Sequence, residues 1–244
     1  MKLRIINLIL LVAGLVNGNA VTAQNTESVE NRNVKGWLHA VVYKKDGTTA
    51  EGYLHNIIEV GTGLGVTRSI HMPSADASEM ILKASNKMLE ESTKIKNCEI
   101  DSMVTWLDES PERRDKWEPE IANFAYGGKN PDIEEFPSML LVLYNGKNVK
   151  GYMAHRLMYG FKYFFKMDDM PYAKAFLSAE EKFSERRRKT LLDTFYMYPE
   201  MEDYIKQLKK EDVVKDPFCI IKKLDEILSN YNSGQPSDVQ AILR

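Results

Sequence analysis

The chain has 244 residues, with 33 basic and 35 acidic side chains, so its formal net charge at pH 7 is −2. Proteins that bind nucleic acid usually carry a surplus of basic residues, and this mildly acidic balance argues against a nucleic-acid partner. Beyond the N-terminus no apolar run reaches the roughly 20 residues of a membrane-spanning helix, so no membrane span is predicted there. The length suits one larger domain or two small ones.

The N-terminus has the pattern of a cleavable secretory signal. Residues 1–4 include two basic side chains, and residues 5–16 are almost wholly apolar. This run is too short to cross a bilayer but is typical of a signal-peptide core. Residues 21–23 (Val-Thr-Ala) place small or aliphatic side chains at the usual positions, which predicts cleavage after Ala23, with Ala20 as a second candidate. We therefore predict a periplasmic or secreted protein.

A β-hairpin is the first ordered element that the pattern predicts. Residues 37–43 and 48–58 are rich in strand-forming side chains and flank Asp46-Gly47. Asp-Gly between two such runs is a strong hairpin signal, because the turn needs a positive φ that these residues tolerate. The same pattern recurs later: a strand that ends in Tyr, a Gly turn, and a return strand that begins Gly-Tyr-aliphatic. The two copies span residues 42–54 and 143–153, which favours either two related β units or convergence on hairpin chemistry.

Further strand-like segments follow each hairpin. After the first they are residues 65–72, 79–85, 93–95 and 99–106, and after the second they are residues 161–166 and 172–177. Residues 80–84 also fit helical spacing, but the strand is the prediction we keep. Residues 108–119 are highly charged and contain Pro111, and they are predicted to connect the two β units.

From Ser178 onward the pattern becomes helical. Ser178 followed by Glu181 forms a capping box, which predicts the start of a first helix that ends at Pro199. Residues 201–208 carry apolar side chains on one face of a second, short helix. Residues 216–231 begin with Asp-Pro, an N-cap followed by proline in the first helical turn, and predict a third helix.

The predicted fold class is α+β: antiparallel β-hairpin units that form one or two small barrel-like sheets, followed by a three-helix C-terminal segment. The predicted organisation, in chain order, is a signal peptide (1–23), a first β unit (24–118), a second β unit (119–177), a helical segment (178–232) and a tail (233–244). Each predicted helix has one apolar side and needs a surface to pack on.

The hairpin at residues 46–54, a middle strand at residues 80–84 and a closing segment at residues 100–103 resemble a small barrel of the SH3-like or Sm-like kind. The whole chain is similar in style to uncharacterised exported proteins of Bacteroidetes-type bacteria. Those proteins carry Ile-Asp-Ser-Met before a Trp, a late Tyr-Pro-Glu-Met and a closing Tyr-Asn, here residues 100–106, 198–201 and 231–232. The resemblance implies no known activity, and it transfers no catalytic residue.

The sequence predicts no metal site and no cofactor. The four histidines, His39, His55, His71 and His155, are not spaced like zinc ligands. His39 and His55 lie on the two arms of the first hairpin and could approach one another. The glycines in residues 61–65 depart by one position from the pattern of a dinucleotide-binding loop.

Cys219 is the residue that carries the enzymatic alternative. It falls near the predicted start of the third helix, where unpaired backbone N–H groups would lower the pKa of its thiol. Cys98 is the other cysteine, and an oxidising compartment would permit a disulfide between the two. Disulfide partner, packing residue and nucleophile all remain open for Cys219, and no catalytic residue is assigned.

More than half of the aromatic residues lie between positions 124 and 183. They are interpreted either as the core of a β unit covered by helices or as an exposed strip for a ligand. With no catalytic motif present, the leading prediction is a non-enzymatic binding or interaction module of the cell envelope, with an unknown protein or glycan ligand. The alternatives are a hydrolase with a Cys219- or His-centred site and a structural subunit of an envelope assembly.

Overall fold

The computed structural model describes residues 37–54, 57–61, 67–71, 77–85, 91–108, 110–126, 131–156, 160–179 and 182–233, with only the backbone for 57–61 and 67–71. The predicted signal peptide and its cleavage site, His55 and most of the glycine-rich loop lie outside these residues. The same holds for Glu181 and nearly all of the predicted tail.

The strands of the described chain form one large sheet and one small ribbon. In chain order they are β1 (Leu38–Lys44), β2 (Thr49–Leu54), β3 (Ile57–Gly61), β4 (Thr67–His71), β5 (Glu79–Lys83), β6 (Ser92–Lys96), β7 (Ile100–Leu107), β8 (Ser110–Glu120), β9 (Ala122–Asn123), β10 (Ser138–Asn145), β11 (Val149–Arg156), β12 (Gly160–Met167) and β13 (Ala173–Ser178). Eleven of them form a sheet in the order β6-β5-β2-β1-β7-β8-β10-β11-β12-β13-β9, and β3 pairs with β4. We call β6 to β7 in that order the first half of the sheet and β8 to β9 the second half.

Both predicted hairpins are present. β1 and β2 pair antiparallel around a turn in which Gly47 has a φ of +83°, as the Asp-Gly signal requires. The repeat of this pattern forms the β10–β11 hairpin, in which Tyr144 pairs with Gly151. The doubtful segment at residues 80–84 is a strand, because β5 pairs with β2 on one side and β6 on the other.

The prediction that residues 108–119 form a connection is wrong. Ser110–Glu120 is the longest strand of the sheet, and it joins the two halves by pairing with β7 and β10. Its charged side chains are exposed or ion-paired, whereas Trp117 is buried on the opposite side of the strand. The Trp117 indole N–H donates to Thr105 Oγ1 at 2.9 Å, and this hydrogen bond ties β8 to β7. The highly charged composition of the segment gave no indication of this buried contact.

The small barrel-like sheets are also not found, because the sheet is not a closed barrel and runs through both predicted β units. Its second half nevertheless curls. Only Ile121 separates β8, which pairs with β10, from β9, which pairs in parallel with β13. Every other strand pairing in the sheet is antiparallel. The domain boundaries proposed from the sequence remain predictions.

Two clusters of buried side chains hold the structure together. The larger one includes residues from both halves of the sheet and from the helices. The smaller one lies on the other face of the second half and consists of Ala122, Phe124, Leu140, Val142, Tyr152, Ala154, Phe164, Ala173 and Ala175. Strands β11 and β12 are therefore covered on both faces.

Four α-helices follow the sheet instead of the three that were predicted: α1 (Glu185–Thr194), α2 (Pro199–Gln207), α3 (Lys210–Lys215) and α4 (Cys219–Asn232). Ser178 does not cap a helix; it is the last residue of β13, and its hydroxyl donates to the Phe161 carbonyl. The N-cap of α1 is Ser184, whose hydroxyl accepts from the Arg187 N–H. Pro199 begins α2 and does not terminate α1, because proline suits the first turn of a helix.

The last helix also begins later than predicted. Asp216 accepts from the Phe218 backbone N–H at 3.0 Å and closes a turn before α4, whose first residue is Cys219. Among the helices that the structure describes, none combines the length and the apolar character needed to cross a membrane.

Candidate functional site

Cys219 lies in an environment unlike that of a reactive cysteine. Burial raises the pKa of its thiol, and the nearby Asp216 and Asp212 raise it further, which outweighs a hydrogen bond with Tyr204. The prediction of a lowered thiol pKa is therefore wrong, because the side chain is packed between the helices beside two acids. Cys98 and Cys219 are both free thiols, the first exposed and the second half-buried.

The histidines do not gather into a site in the described residues. His155 is buried, and its ring centroid lies 4.6 Å from that of Phe161. His39 lies on the open face of the sheet, and its predicted neighbour His55 is outside the described residues. In the part of the chain that the structure describes, no three His, Cys, Asp or Glu side chains are arranged to hold a metal ion.

The aromatic residues of β12 are core residues. Phe161, Tyr163 and Phe165 face the helices, and Phe164 faces the smaller cluster. All four are buried. The interpretation of this region as an exposed aromatic strip is therefore wrong for β12, because the sheet is covered on both of its faces there.

Aromatic side chains reach the surface instead in the first half of the sheet. His39 on β1 pairs with Tyr53 on β2 and with Trp106 on β7, so the three side chains form one row across the sheet. The centroid of the His39 ring is 4.8 Å from that of Tyr53 and 4.3 Å from that of Trp106. Alternation places them opposite the core, and each is only partly buried. We call Tyr53, His39 and Trp106 the aromatic stack.

Charged side chains surround the aromatic stack. Arg114 on β8 extends the row, with its guanidinium carbon 4.7 Å from the centre of the Trp106 ring. On the other side, His39 Nε2 lies 2.9 Å from Glu51 Oε1, and His39 Nδ1 lies 3.6 Å from Asp108 Oδ1. Both carboxylates are well exposed, at 65% for Glu51 and 51% for Asp108, whereas the His39 side chain is 19% exposed. The row thus combines partly buried rings with hydrated charges of both signs.

The geometry limits what the aromatic stack can contact. Because His39 lies between the other two rings, and Arg114 covers Trp106, the ring faces largely contact one another. The edges of the rings and the charged groups are therefore the parts of the row that a partner can contact. Cross-strand stacking of this kind also stabilises a sheet, by roughly 0.2–1 kcal/mol per pair.

Local sequence patterns indicate only part of this site. The Asp-Gly turn sets the register that places Tyr53 opposite His39. That pair could therefore be predicted from the sequence around the turn. Trp106 contacts His39 only because β7 pairs with β1. No pattern in the sequence predicts that these two distant segments pair.

A second polar cluster, in the second half of the sheet, is a structural network. Glu118 receives hydrogen bonds from Lys116, Lys150 and the Tyr152 hydroxyl, at 2.8, 2.9 and 3.0 Å. Burial alone would raise the pKa of Glu118, but its two lysine partners lower it below the ordinary value. The carboxylate therefore stays charged and paired at neutral pH, which suits a structural role better than proton transfer.

Comparison of the chain with models of protein families, with curated proteins and with solved structures gives no match in any of the three. Function is accordingly inferred from the chemistry of the described residues.

Proposed function

We propose that this chain is an exported, non-enzymatic binding module of the cell envelope that binds a polypeptide partner through the aromatic stack. The observation that carries the proposal is the row of Tyr53, His39 and Trp106 on the open face of the first half of the sheet. Tyr, Trp and Arg are the residue types most enriched among those that dominate protein interfaces. Here Arg114 completes such a set at one point of the surface.

A polypeptide suits the aromatic stack better than a glycan does. A sugar ring packs against a free aromatic face, and the faces of this row are largely occupied by their neighbours. A peptide can use ring edges together with backbone and side-chain hydrogen bonds, which the exposed carboxylates of Glu51 and Asp108 can accept. Arg114 offers the opposite charge at the far end of the row, so the preferred partner carries both basic and acidic groups.

The test starts from peptides selected without any bias toward the stack. The mature chain, residues 24–244, is used to select binders from a displayed peptide library, and the recovered peptides are synthesised. Their dissociation constants are then measured by calorimetry against the wild type and against Trp106→Ala. We expect Trp106→Ala to weaken binding by about thirtyfold or more, since truncating a central aromatic residue in an interface costs about 2 kcal/mol or more.

Tyr196→Ala is the matched control, because Tyr196 is 77% exposed and lies outside the sheet. Its affinity for the peptides should equal that of the wild type, and thermal melting should show that both variants are folded. The proposal is overturned if the peptides lose affinity equally in both variants, or if no peptide binds while a soluble glycan binds in a Trp106-dependent way.

A further inference from the structure

His39 occupies the centre of the aromatic stack, with a carboxylate near each of its ring nitrogens. Nε2 lies 2.9 Å from Glu51 Oε1, and Nδ1 lies 3.6 Å from Asp108 Oδ1. The ring itself lies between those of Tyr53 and Trp106, at interplanar angles of 24° and 33°. Two negative charges and two aromatic rings therefore surround one imidazole.

The two protonation states of His39 use these neighbours differently. A neutral imidazole has one N–H and can donate it to only one of the carboxylates, so its other nitrogen presents a lone pair to the second. A protonated imidazole has two N–H groups and can pair with both Glu51 and Asp108. A positive ring is also attracted to the aromatic rings beside it, because both centroids lie within about 6 Å. All four contacts are therefore favourable only around the charged ring.

Two cationic side chains lie further along the same row. Arg114 on β8 contacts the Trp106 ring, and Lys83 on β5 pairs with Tyr53 on the side away from His39. Both cations oppose a positive charge on His39, but an aromatic residue lies between His39 and each of them. The two carboxylates are its direct neighbours. The charge on His39 therefore affects Glu51 and Asp108 most strongly.

We propose that His39 is a proton-dependent gate for a basic group of the partner, an inference that rests on the proposed function of the aromatic stack. With His39 neutral, one of the two carboxylates is available to pair with a lysine or arginine of the partner. When His39 takes up a proton, both carboxylates pair with it. The partner's cation and the proton on His39 therefore compete, and the affinity for basic peptides falls as the pH falls.

The experiment uses the peptides selected on the mature chain that contain lysine or arginine. Their dissociation constants are measured at about pH 8 and about pH 5.5, on either side of the range in which histidine ordinarily changes its charge. We expect the affinity to be about fivefold or more weaker at the lower pH, a typical size for coupling between two bound species. Circular dichroism at both pH values checks that the chain is folded.

Calorimetry supplies a readout that a purely structural role of His39 would not give. If the partner's cation displaces the proton, binding at about pH 6 releases protons, and the measured heat then depends on the ionisation enthalpy of the buffer. Peptides in which glutamine replaces the basic residues should bind without this proton release.

Substitutions at two positions, each with a matched control, make the test specific. His39→Gln removes the titrating ring, and the affinity of basic peptides for this variant should be equal at the two pH values. His71→Gln should retain the pH dependence, because His71 lies on β4 in the separate β3–β4 ribbon. Asp108→Asn should reduce the pH dependence, since one competing carboxylate is lost. Asp101→Asn, at the other end of β7, should leave it unchanged.

Several outcomes would overturn the proposal. Equal affinities at the two pH values would do so and leave the proposed function intact, provided that Trp106→Ala still weakens binding. A pH dependence that persists in His39→Gln, or a set of selected peptides without lysine or arginine, also contradicts it. Should His39→Gln fail to fold, an unchanged pH dependence in Asp108→Asn excludes competition at that carboxylate. If no peptide binds the chain, the proposed function fails and this inference fails with it.

Discussion

The two hairpins share one sequence pattern but have very different surroundings. In the β1–β2 hairpin, Tyr43 at the end of the first strand is 42% exposed. At the corresponding position of the β10–β11 hairpin, the Tyr144 hydroxyl donates to Asp225 Oδ2 at 2.8 Å. Asp225 belongs to α4. The second hairpin therefore contacts a helix at the position where the first hairpin is exposed to solvent.

The tyrosines of the return strands differ in the same way. Tyr53 is part of the partly exposed aromatic stack, whereas Tyr152 is fully buried and its hydroxyl donates to Glu118. Burial raises the pKa of Tyr152, and the negative charges of Glu118 and Glu120 raise it further. One local pattern thus produces a surface residue in one half of the sheet and a core residue in the other.

The turns are also stabilised from different sources. Asp46 accepts from the Thr48 backbone N–H at 2.9 Å and from the Thr48 hydroxyl at 2.6 Å, so the first turn caps itself. In the second turn the carboxylate comes from α4: Asp225 accepts from the backbone N–H groups of Lys147 and Asn148 at 3.0 and 2.7 Å. The first turn satisfies its donors with its own Asp46 and needs no other element. The second turn depends on Asp225 and so holds α4 against the hairpin.

The largest expected change in stability comes from removing the Asp225 side chain. Asp225→Ala leaves the donors of the second turn and the Tyr144 hydroxyl without their buried charged acceptor, and should lower the free energy of unfolding by about 4 kcal/mol. Urea unfolding followed by circular dichroism measures this. The matched variant Asp46→Ala, at an exposed turn, should cost clearly less, and equal losses would show that α4 does not complete the second turn.

The paired glycines of the return strands test how tightly each hairpin is packed. A Cβ on Gly52 would lie 2.5 Å from the Lys83 carbonyl oxygen, and one on Gly151 would lie 2.6 Å from the Phe218 ring. A backbone atom of a paired strand cannot move aside as a ring can. Gly52→Ala should therefore cost about 3 kcal/mol and Gly151→Ala about 1 kcal/mol, within the usual range for overpacking. Chemical denaturation of both variants checks the order, and a reversed order would mean that the first hairpin is the looser one.

A smaller difference is expected between the two strand-end tyrosines. Tyr144→Phe removes a hydrogen bond to a charged acceptor and should lower stability by about 1.5 kcal/mol. Tyr43→Phe should leave stability unchanged within the error of the measurement, because that side chain is on the surface. Thermal melts of the two variants compare them, and similar losses would contradict the different roles assigned to these tyrosines.

The smallest effect concerns pH. Burial alone would raise the pKa of Asp225, but hydrogen bonds from Asn148, Tyr144 and Lys147 hold it below the ordinary value of 3.8. The unfolded chain then binds a proton more readily at this position. The stability that Asp225 contributes is therefore complete above pH 3.8 and is lost as pH falls through the lower folded-state pKa.

The check is a series of urea midpoints from about pH 7 down to about pH 3 for the wild type and Asp225→Asn. The wild type should lose stability more steeply at the acid end, and the two curves should run parallel at higher pH. Parallel curves throughout would show that the pKa of Asp225 is not lowered by folding.

Local rules were enough to predict much of this fold. The Asp46-Gly47 turn, the alternation in the strands that follow and the apolar faces of the C-terminal helices gave an α+β protein with two similar hairpins. These features depend on positive φ at a turn and on side-chain periodicity, which act over a few residues and are visible in the chain itself.

Other features depended on contacts between distant segments. Ser110–Glu120 is a central strand because β7 and β10 lie on either side of it, and Ser178 ends a strand because Phe161 is its neighbour. The aromatic stack needs Trp106 beside His39, and Lys162 and Arg187 come together over the Tyr126 ring. Only tertiary packing brings such residues together. Burial and strand pairing join segments that are far apart in the sequence, and no local sequence pattern indicates which distant segments will meet.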